Sequence, residues 1–323
     1  MGAAYDGGPL QVIEAITRIS ACKILSLNSG ESKSSDYWLS HFRDNNIKGL
    51  ICSTSQSSEG FQVEAAVRFG ASKANIPIIC IEDFPGNYQE VDYAPTSLLI
   101  VESKFSSDIY GDRYNAIPPV FIMPSVRYDG LRHGYFSWEV CSMPPPFQIL
   151  WTGQPESAYC IQSLKVIFPG LIKHSAKLLF RAHPRDPEYA RGTYHQLFKQ
   201  QGIDWVDVTE MPLNKLFSES IHLVITQFSS LATEAGFYGI PSMYLLLEEA
   251  GGGLLFQKNG YNITIAVAND AAFVIASGSD LESLDIALCD NRRRKEVMTN
   301  FAHLYEVDTA QSPFLIRAIE GII

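Results

Sequence analysis

Residues 224–246 read VITQFSSLATEAGFYGIPSMYLL, and the fold turns on how this stretch is taken. An apolar run ends in two serines, a helix-like segment carries one acid, Glu234, and Gly239, Ile240 and Pro241 lead into a second apolar run. Short β-branched runs on either side of a helical period are the mark of a β-α-β unit in a parallel sheet. The first turn of a helix has N–H groups without intrahelical partners and carries about half a positive charge. Ser229 and Ser230 therefore suit two tasks, capping the helix or cradling a phosphate, and this stretch leaves both open.

The same alternation runs outward in both directions. The strand candidates of the first half are CKILSLN (22–28), IKGLICS (47–53), IPIICIE (76–82), SLLIVES (97–103) and PVFIMP (119–124), with GFQVEAAVRFGASKAN (60–75) spaced as a crossover helix. MPPPF (143–147) then interrupts the pattern, because consecutive prolines support neither a helix nor a central strand. It restarts with FQILWTG (147–153), AKLLFRAHP (176–184), DWVDVT (204–209), HLVIT (222–226), PSMYLLL (241–247) and ITIAVAN (263–269) as strands. Helices are expected over 157–173, 189–201, 212–219, 229–239 and much of 281–323. The expectation is an α/β chain of two doubly wound domains, 1–143 and 144–300.

Composition narrows the function classes. The 323 residues are 46% hydrophobic and 19% charged, as in a globular protein, and the formal charge of −10 argues against a general nucleic-acid binder. The six cysteines include no CxxC pair and no zinc-like spacing; Cys52 and Cys80 lie in apolar runs and read as reduced, buried thiols. No signal peptide is visible in MGAAYDGG, and runs such as HLVIT are too short to cross a bilayer, so a cytoplasmic protein without a transmembrane segment is expected.

Chemistry gathers at strand ends. WTGQPES (151–157) leaves its strand through Gly153, where backbone can approach a ligand. FRAHPRD (180–186) leaves the next with Arg181, His183 and Arg185, and TQFSSLATE forms the third exit. Cationic groups and helix N–H groups suit phosphate oxygens, and an ionised Glu234 can accept two hydroxyl hydrogen bonds from a ribose diol. Each also has a plainer reading: a structural histidine, a solvated arginine pair, a glutamate facing water. In the first half, EDFPGNY (82–88) sets Glu82 and Asp83 at a strand end, as a candidate base or as a simple turn. EEAGGGLLF (248–256) reads as a loop closing over a sugar or lying in solvent, and SQSSEGF (55–61) as an acceptor grip or a helix cap. The run Arg292, Arg293, Arg294, Lys295 reads as a solvated helix face or as a dock for an anionic lipid-linked acceptor.

Ser-Ser-Leu-x-x-Glu followed by Gly-x-Pro resembles the nucleotide-binding helix of GT-B glycosyltransferases and of the related UDP-N-acetylglucosamine 2-epimerases. IPIICIED (76–83), MPSVRYDGL (123–131), ILWTGQ (149–154) and HPRDP (183–187) are similar, in order, to further epimerase motifs. The resemblance implies a GT-B architecture with two Rossmann-like domains facing a central cleft, and a C-terminal helix, 301–323, crossing back to the first domain. It implies diphosphate binding at Ser229 and Ser230 and ribose binding at Glu234. The epimerases' opening Gly-Thr-Arg-Pro-Glu and their Gly-Asp-Thr-Thr loop have no counterpart in GAAYDGG or TSQSSEG, and Glu82 alone matches their proton-shuttling acids.

Glycosyl transfer asks for fewer side chains than proton abstraction at a sugar carbon. The expectation is a glycosyltransferase that takes a nucleotide sugar as donor and a carbohydrate, lipid-linked or small-molecule acceptor, with no metal and no cofactor. Donor binding falls to Gly153, Arg181, His183, Arg185, Ser229, Ser230 and Glu234, and catalysis to Glu82 or Asp83. An epimerase with relocated acids and an inactive partner subunit are the alternatives; the related epimerases' dimers make a homodimer a further expectation from the resemblance.

Overall fold

The computed structural model describes residues 1–5, 7–18, 24–26, 33–55, 57–132, 134, 145–278, 280 and 282–322. Met1–Gly130 with Thr309–Ile323 form one compact unit, and Leu131–Asp308 form the other. The first unit thus ends ahead of the prolines of MPPPF, and the second runs past residue 300.

In the first unit a parallel sheet has the order β2-β1-β3-β4-β5-β6, built from β1 (Gly2–Ala4), β2 (Ile24–Ser26), β3 (Leu50–Ser53), β4 (Ile78–Ile81), β5 (Leu98–Val101) and β6 (Val120–Ile122). Its helices are α1 (Gly7–Thr17), α2 (Ser35–Asp44), α3 (Ser58–Lys73) and α4 (Lys104–Arg113). Strands buried on both faces explain the unbroken apolar runs, since LICS, IICI and LLIV have no exposed position. One face packs Trp38, Phe42, Val63, Val67 and Tyr110 against Cys52, Cys80 and Leu99. The other packs Val12, Ile13 and Ile16 against Ile79, Ile81 and Ile100, and Leu315 joins this second cluster. Each such side chain contributes about 1.5–3 kcal/mol on full burial.

In the second unit the order is β12-β11-β10-β7-β8-β9, from β7 (Gln148–Thr152), β8 (Lys177–Arg181), β9 (Trp205–Asp207), β10 (Leu223–Thr226), β11 (Ser242–Leu245) and β12 (Phe273–Ile275), all parallel. Its helices are α5 (Ser157–Lys173), α6 (Pro187–Ala190), α7 (Thr193–Gln201), α8 (Leu213–Leu216), α9 (Leu231–Gly236), α10 (Gly251–Asn259), α11 (Ile265–Ala268), α12 (Glu282–Cys289) and α13 (Asn291–Tyr305). The α/β, doubly wound fold class read from the sequence is the one observed. The last helix, α14 (Ser312–Glu320), belongs to the first unit, where Asp129 accepts the backbone N–H of Gln311 at 3.1 Å and of Ser312 at 2.8 Å.

Three elements differ from the strand reading of the sequence. ITIAVAN is not a strand: Thr264 Oγ1 accepts the Val267 N–H at 3.4 Å and starts the short helix α11. The edge strand is β12 instead, selected by pairing Met243 with Phe273 and Leu245 with Ile275. β1 escaped the reading because GAA has neither branched nor aromatic residues; it forms because β2 and β3 flank it on both sides.

The three glycines of EEAGGGLLF are the first turn of α10 rather than an open loop. A Cβ on Gly251, Gly252 or Gly253 would collide with the carbonyl oxygens of Leu245, Leu246 and Glu248 respectively. Gly251→Ala is therefore expected to destabilise the protein by about 1–3 kcal/mol, a shift that a denaturant midpoint at unchanged slope would report.

Candidate functional site

The sheet order of the second unit reverses direction between β7 and β10, so the connections from these two strands leave to opposite sides. Open α/β sheets take ligands at such a reversal, beyond the carboxyl ends of the strands. Gly153 follows β7, His183 and Arg185 follow β8, and Ser229 follows β10, so the register of the sheet brings these strand exits to one edge.

At the β10 exit, Thr226 Oγ1 donates to the Thr152 carbonyl at 2.8 Å and accepts the Ser229 N–H at 3.2 Å. Ser229 Oγ accepts the Leu231 N–H at 3.3 Å, so Ser229 is the capping residue, while Ser230 lies exposed with helical dihedrals and makes no side-chain cap. Glu234 is half-buried one turn on. Helix α9 has only six residues, so few peptide dipoles are aligned behind its first turn.

At the β8 exit, His183 Nδ1 accepts the Arg185 N–H at 3.1 Å, which leaves Nε2 to carry the proton of the neutral ring. Burial, then the Arg185 charge, lowers the His183 pKa, so the ring is held as a neutral Nε2–H donor. Asp186 is buried and accepts Ser157 Oγ at 2.5 Å, Tyr194 OH at 2.5 Å and the Glu188 N–H at 2.9 Å, which ties the HPRDP turn to the start of α5. Arg185 is exposed. Arg181 Nη1 donates to the Val208 carbonyl at 3.0 Å and the Met211 carbonyl at 2.7 Å, clamping the loop after β9.

At the β7 exit, the Gly153 N–H donates to the Arg181 carbonyl at 3.0 Å, and the Gln154 N–H to Cys160 Sγ at 3.2 Å. Burial pushes the Cys160 thiol up to about 12, so it is a structural acceptor and not a nucleophile. A Cβ on Gly153 would meet its nearest neighbours at 3.5–3.6 Å, which is ordinary contact, so packing does not demand glycine here.

In the first unit, Glu82 is 1% exposed. Its carboxylate accepts Tyr110 OH at 2.5 Å, the Gly86 N–H at 3.0 Å and the Glu102 N–H at 3.3 Å, and burial raises its pKa. Glu82, the candidate base at the strand end, is thus an enclosed carboxyl that pins the EDFPGN turn to β5 and α4. Asp83 lies 3.5 Å from Arg127 Nη1, with the two side chains 14% and 12% exposed. Glu102, which the sequence reading passed over as a strand end, is pushed up to about 7 by burial, with Arg127 opposing and Glu82 and Asp83 adding to the rise. Its signal in the sequence was only an acid closing an apolar strand, one residue past LLIV. Beside it a recess of about 10 Å³, no larger than one water, is lined by Glu82, Glu102, Met123, Ser125 and Leu315.

Other sequence expectations resolve on burial and pairing. Ser57 Oγ accepts the Gly60 N–H at 3.0 Å, so SQSSEGF caps α3. Arg292 pairs with Glu296 at 3.0 Å but stays exposed, as Lys295 does, while Arg293 pairs with Asp270 and Arg294 is 1% exposed. Cys52, Cys80 and Cys160 are buried free thiols; Cys22 and Cys141 lie outside the described residues. Among the described residues no cluster of three or more His, Cys, Asp or Glu could hold a metal ion, and no helix is long and apolar enough to cross a membrane.

No family model matches the chain, and no curated protein matches it in sequence. Solved structures do match over almost its whole length. The UDP-GlcNAc 2-epimerase of Methanocaldococcus jannaschii is 12% identical with a TM-score of 0.59, covering 99% of both chains. Staphylococcus aureus MnaA, solved with UDP, is 12% identical with a TM-score of 0.65, covering 100% of this chain and 97% of that one. The glycosyltransferase SnogD of Streptomyces nogalater is 11% identical with a TM-score of 0.55, covering 99% of both. At 11–12% identity the likeness is one of fold alone, an α/β chain of two parallel sheets in the GT-B arrangement.

Proposed function

We propose that the protein is a glycosyltransferase that takes its sugar from a nucleoside diphosphate donor held by the second unit and delivers it to an acceptor hydroxyl. The observation that carries this reading is the reversal of strand order between β7 and β10, with Gly153, His183 and Ser229 on the loops at that edge and Glu234 a turn beyond. A neutral His183 Nε2–H and the exposed Arg185 suit phosphate oxygens as the leaving diphosphate gains charge. Ser229 and Ser230 offer hydroxyls beside it, and Glu234 offers a charged acceptor for ribose hydroxyls. Arg181 supports the site through the loop it clamps. The UDP carried by S. aureus MnaA makes UDP the first nucleotide to try.

The proton of the acceptor hydroxyl would pass to Asp83 or Glu102. Glu102 is the better matched, because a carboxyl near 7 can both take and return a proton at neutral pH. Enclosure of Glu82 behind Tyr110 leaves it a supporting role.

Titration calorimetry tests the donor site. UDP should bind, and Glu234→Ala should weaken it by about 1.5–3 kcal/mol, the worth of hydrogen bonds to a charged group. The same affinity in EDTA is expected, since the proposed contacts require no metal; loss of binding on chelation, or an unchanged affinity in the variant, counts against the site as drawn. The M. jannaschii relative keeps epimerisation as the second reading. Incubation with UDP-N-acetylglucosamine in deuterated water separates the two, because epimerisation exchanges the C2 proton and transfer does not.

A further inference from the structure

A recess of about 700 Å³ opens in the second unit at the β11–β12 end of its sheet. Its volume is that of a small-molecule pocket, for which about 300–1,000 Å³ is usual. Strand β10 separates this corner from β7, so the recess lies away from the reversal where the nucleotide is placed. One face of α10 forms a wall, since Gly252, Gly253, Phe256 and Gln257 recur at helical spacing.

Leu246, Ile263 and Val274 give the recess an aliphatic lining. Val274 projects to the face of β12 opposite Phe273 and Ile275, which belong to the main core, so this lining is a separate apolar surface. Phe256 borders it at 59% exposure. A lone exposed phenylalanine is ordinary, but one beside an aliphatic recess of ligand size offers a ring face to a guest.

The polar part of the lining is Glu248, Gln257 and Asn262, all exposed and without a hydrogen bond or ion pair among the described residues. Glu248 is the one ionisable group among the described residues of the lining. Lys258, the cation of α10, is engaged elsewhere: it meets Glu156 Oε1 at 2.6 Å and lies over the Phe228 ring at 5.7 Å. A carboxylate without a counter-charge repels phosphates and carboxylates and attracts cations. The face of an aromatic ring adds to that attraction, and carboxamide oxygens accept N–H groups.

We propose that this recess binds an organic amine, with its ammonium head held by Glu248 and the carboxamide oxygens of Gln257 and Asn262 and its apolar body against Phe256 and the aliphatic lining. Such a site is additional to the nucleotide edge, and neither requires the other.

Gly252 and Gly253 border the recess, so their amide signals in ¹⁵N-labelled protein report what enters it. Phenethylamine should shift them and bind about fivefold more tightly than phenethyl alcohol, the full worth of an ion pair at a solvated rim. Hydrocinnamate, an anion of similar shape, should leave them in place. Added salt should narrow the gap between amine and alcohol. Glu248→Gln should bring the amine to the level of the alcohol, and Phe256→Ala should weaken both, with urea midpoints of the free proteins unchanged. UDP should bind without displacing the amine.

Equal affinity for amine and alcohol, or an amine affinity that Glu248→Gln leaves intact, overturns the inference. So does the absence of a shift with all of phenethylamine, hexylamine and tryptamine. If UDP-N-acetylglucosamine displaces the amine, the recess belongs to the nucleotide site and the amine assignment falls. Failure of UDP to bind, with the amine still bound, counts against the nucleotide reading alone and leaves the amine site standing.

Discussion

Arg294→Ala is expected to lower the stability of the second unit by about 3–5 kcal/mol, whereas Lys295→Ala, one position along the same basic run, should change it by less than about 0.5 kcal/mol. The difference comes from burial. Arg294 is 1% exposed, and its guanidinium donates to the carbonyl of Ala287 and, at 2.9 Å, to that of His222. His222 is itself buried, accepting the Gln148 N–H on Nδ1 at 3.1 Å with its ring edge-on to Phe147 at 5.3 Å. The guanidinium thus joins α13 and α12 to the entry of β10. Truncation removes the donors from two carbonyls and leaves a cavity the size of the lost side chain, and these costs add. Lys295 is exposed and loses only a solvated charge. Urea unfolding of the two variants against the parent reads the contrast; equal midpoints for both would show that Arg294 does not anchor α13.

Glu64→Gln should remove a pH dependence worth about 3 kcal/mol from the first unit. Glu64 is 4% exposed and accepts the Ser55 hydroxyl at 2.6 Å, the Ser55 N–H at 3.1 Å and the Tyr5 N–H at 3.4 Å. Burial outweighs these bonds and Arg68, and pushes its carboxyl from 4.5 up to about 7. The folded state therefore keeps a proton that the unfolded chain has already released between those two values. The stabilisation is complete below pH 4.5, shrinks as pH rises and is lost once pH passes 7. Against the parent, the glutamine variant should accordingly gain stability from pH 5 to pH 8. Denaturant midpoints of the two proteins across that range test it, and a constant difference would mean that the buried carboxyl does not titrate there. Glu102 adds a slope of the same sign, which the comparison cancels because both proteins carry it.

Glu64 and Glu82 show how far the local pattern could be read. Glu82 was visible as the acid closing the strand candidate 76–82, and β4 ends one residue before it, whereas Glu64 lies inside the helix read over 60–75 and carried no signal of its own. Their roles were not visible, because Glu82 is enclosed by Tyr110, 28 positions away, and Glu64 by Tyr5, 59 positions away. Arg181 has the same history: it closes a strand as expected, but its partners Val208 and Met211 reach it only once β9 lies beside β8. Trp151 read simply as a large apolar residue of FQILWTG, and its unpartnered N–H becomes visible only when the surrounding core is complete. Helix 157–173, by contrast, agrees with α5 at both ends, because its apolar spacing is a property of the helix alone.

The sequence by itself determined the alternation of strand and helix, the α/β class, and the strand exits that bear Gly153, His183, Ser229 and Glu234. Those features follow from periodicity and turn chemistry, which act over a few neighbouring residues. Only the tertiary structure decided which strand lies at the edge, which acids and arginines are buried, and that β7 and β10 are neighbours at the reversal. Each of these depends on contacts between residues tens of positions apart, where burial can raise a carboxyl to about 7 or turn a nominal surface arginine into a structural pin.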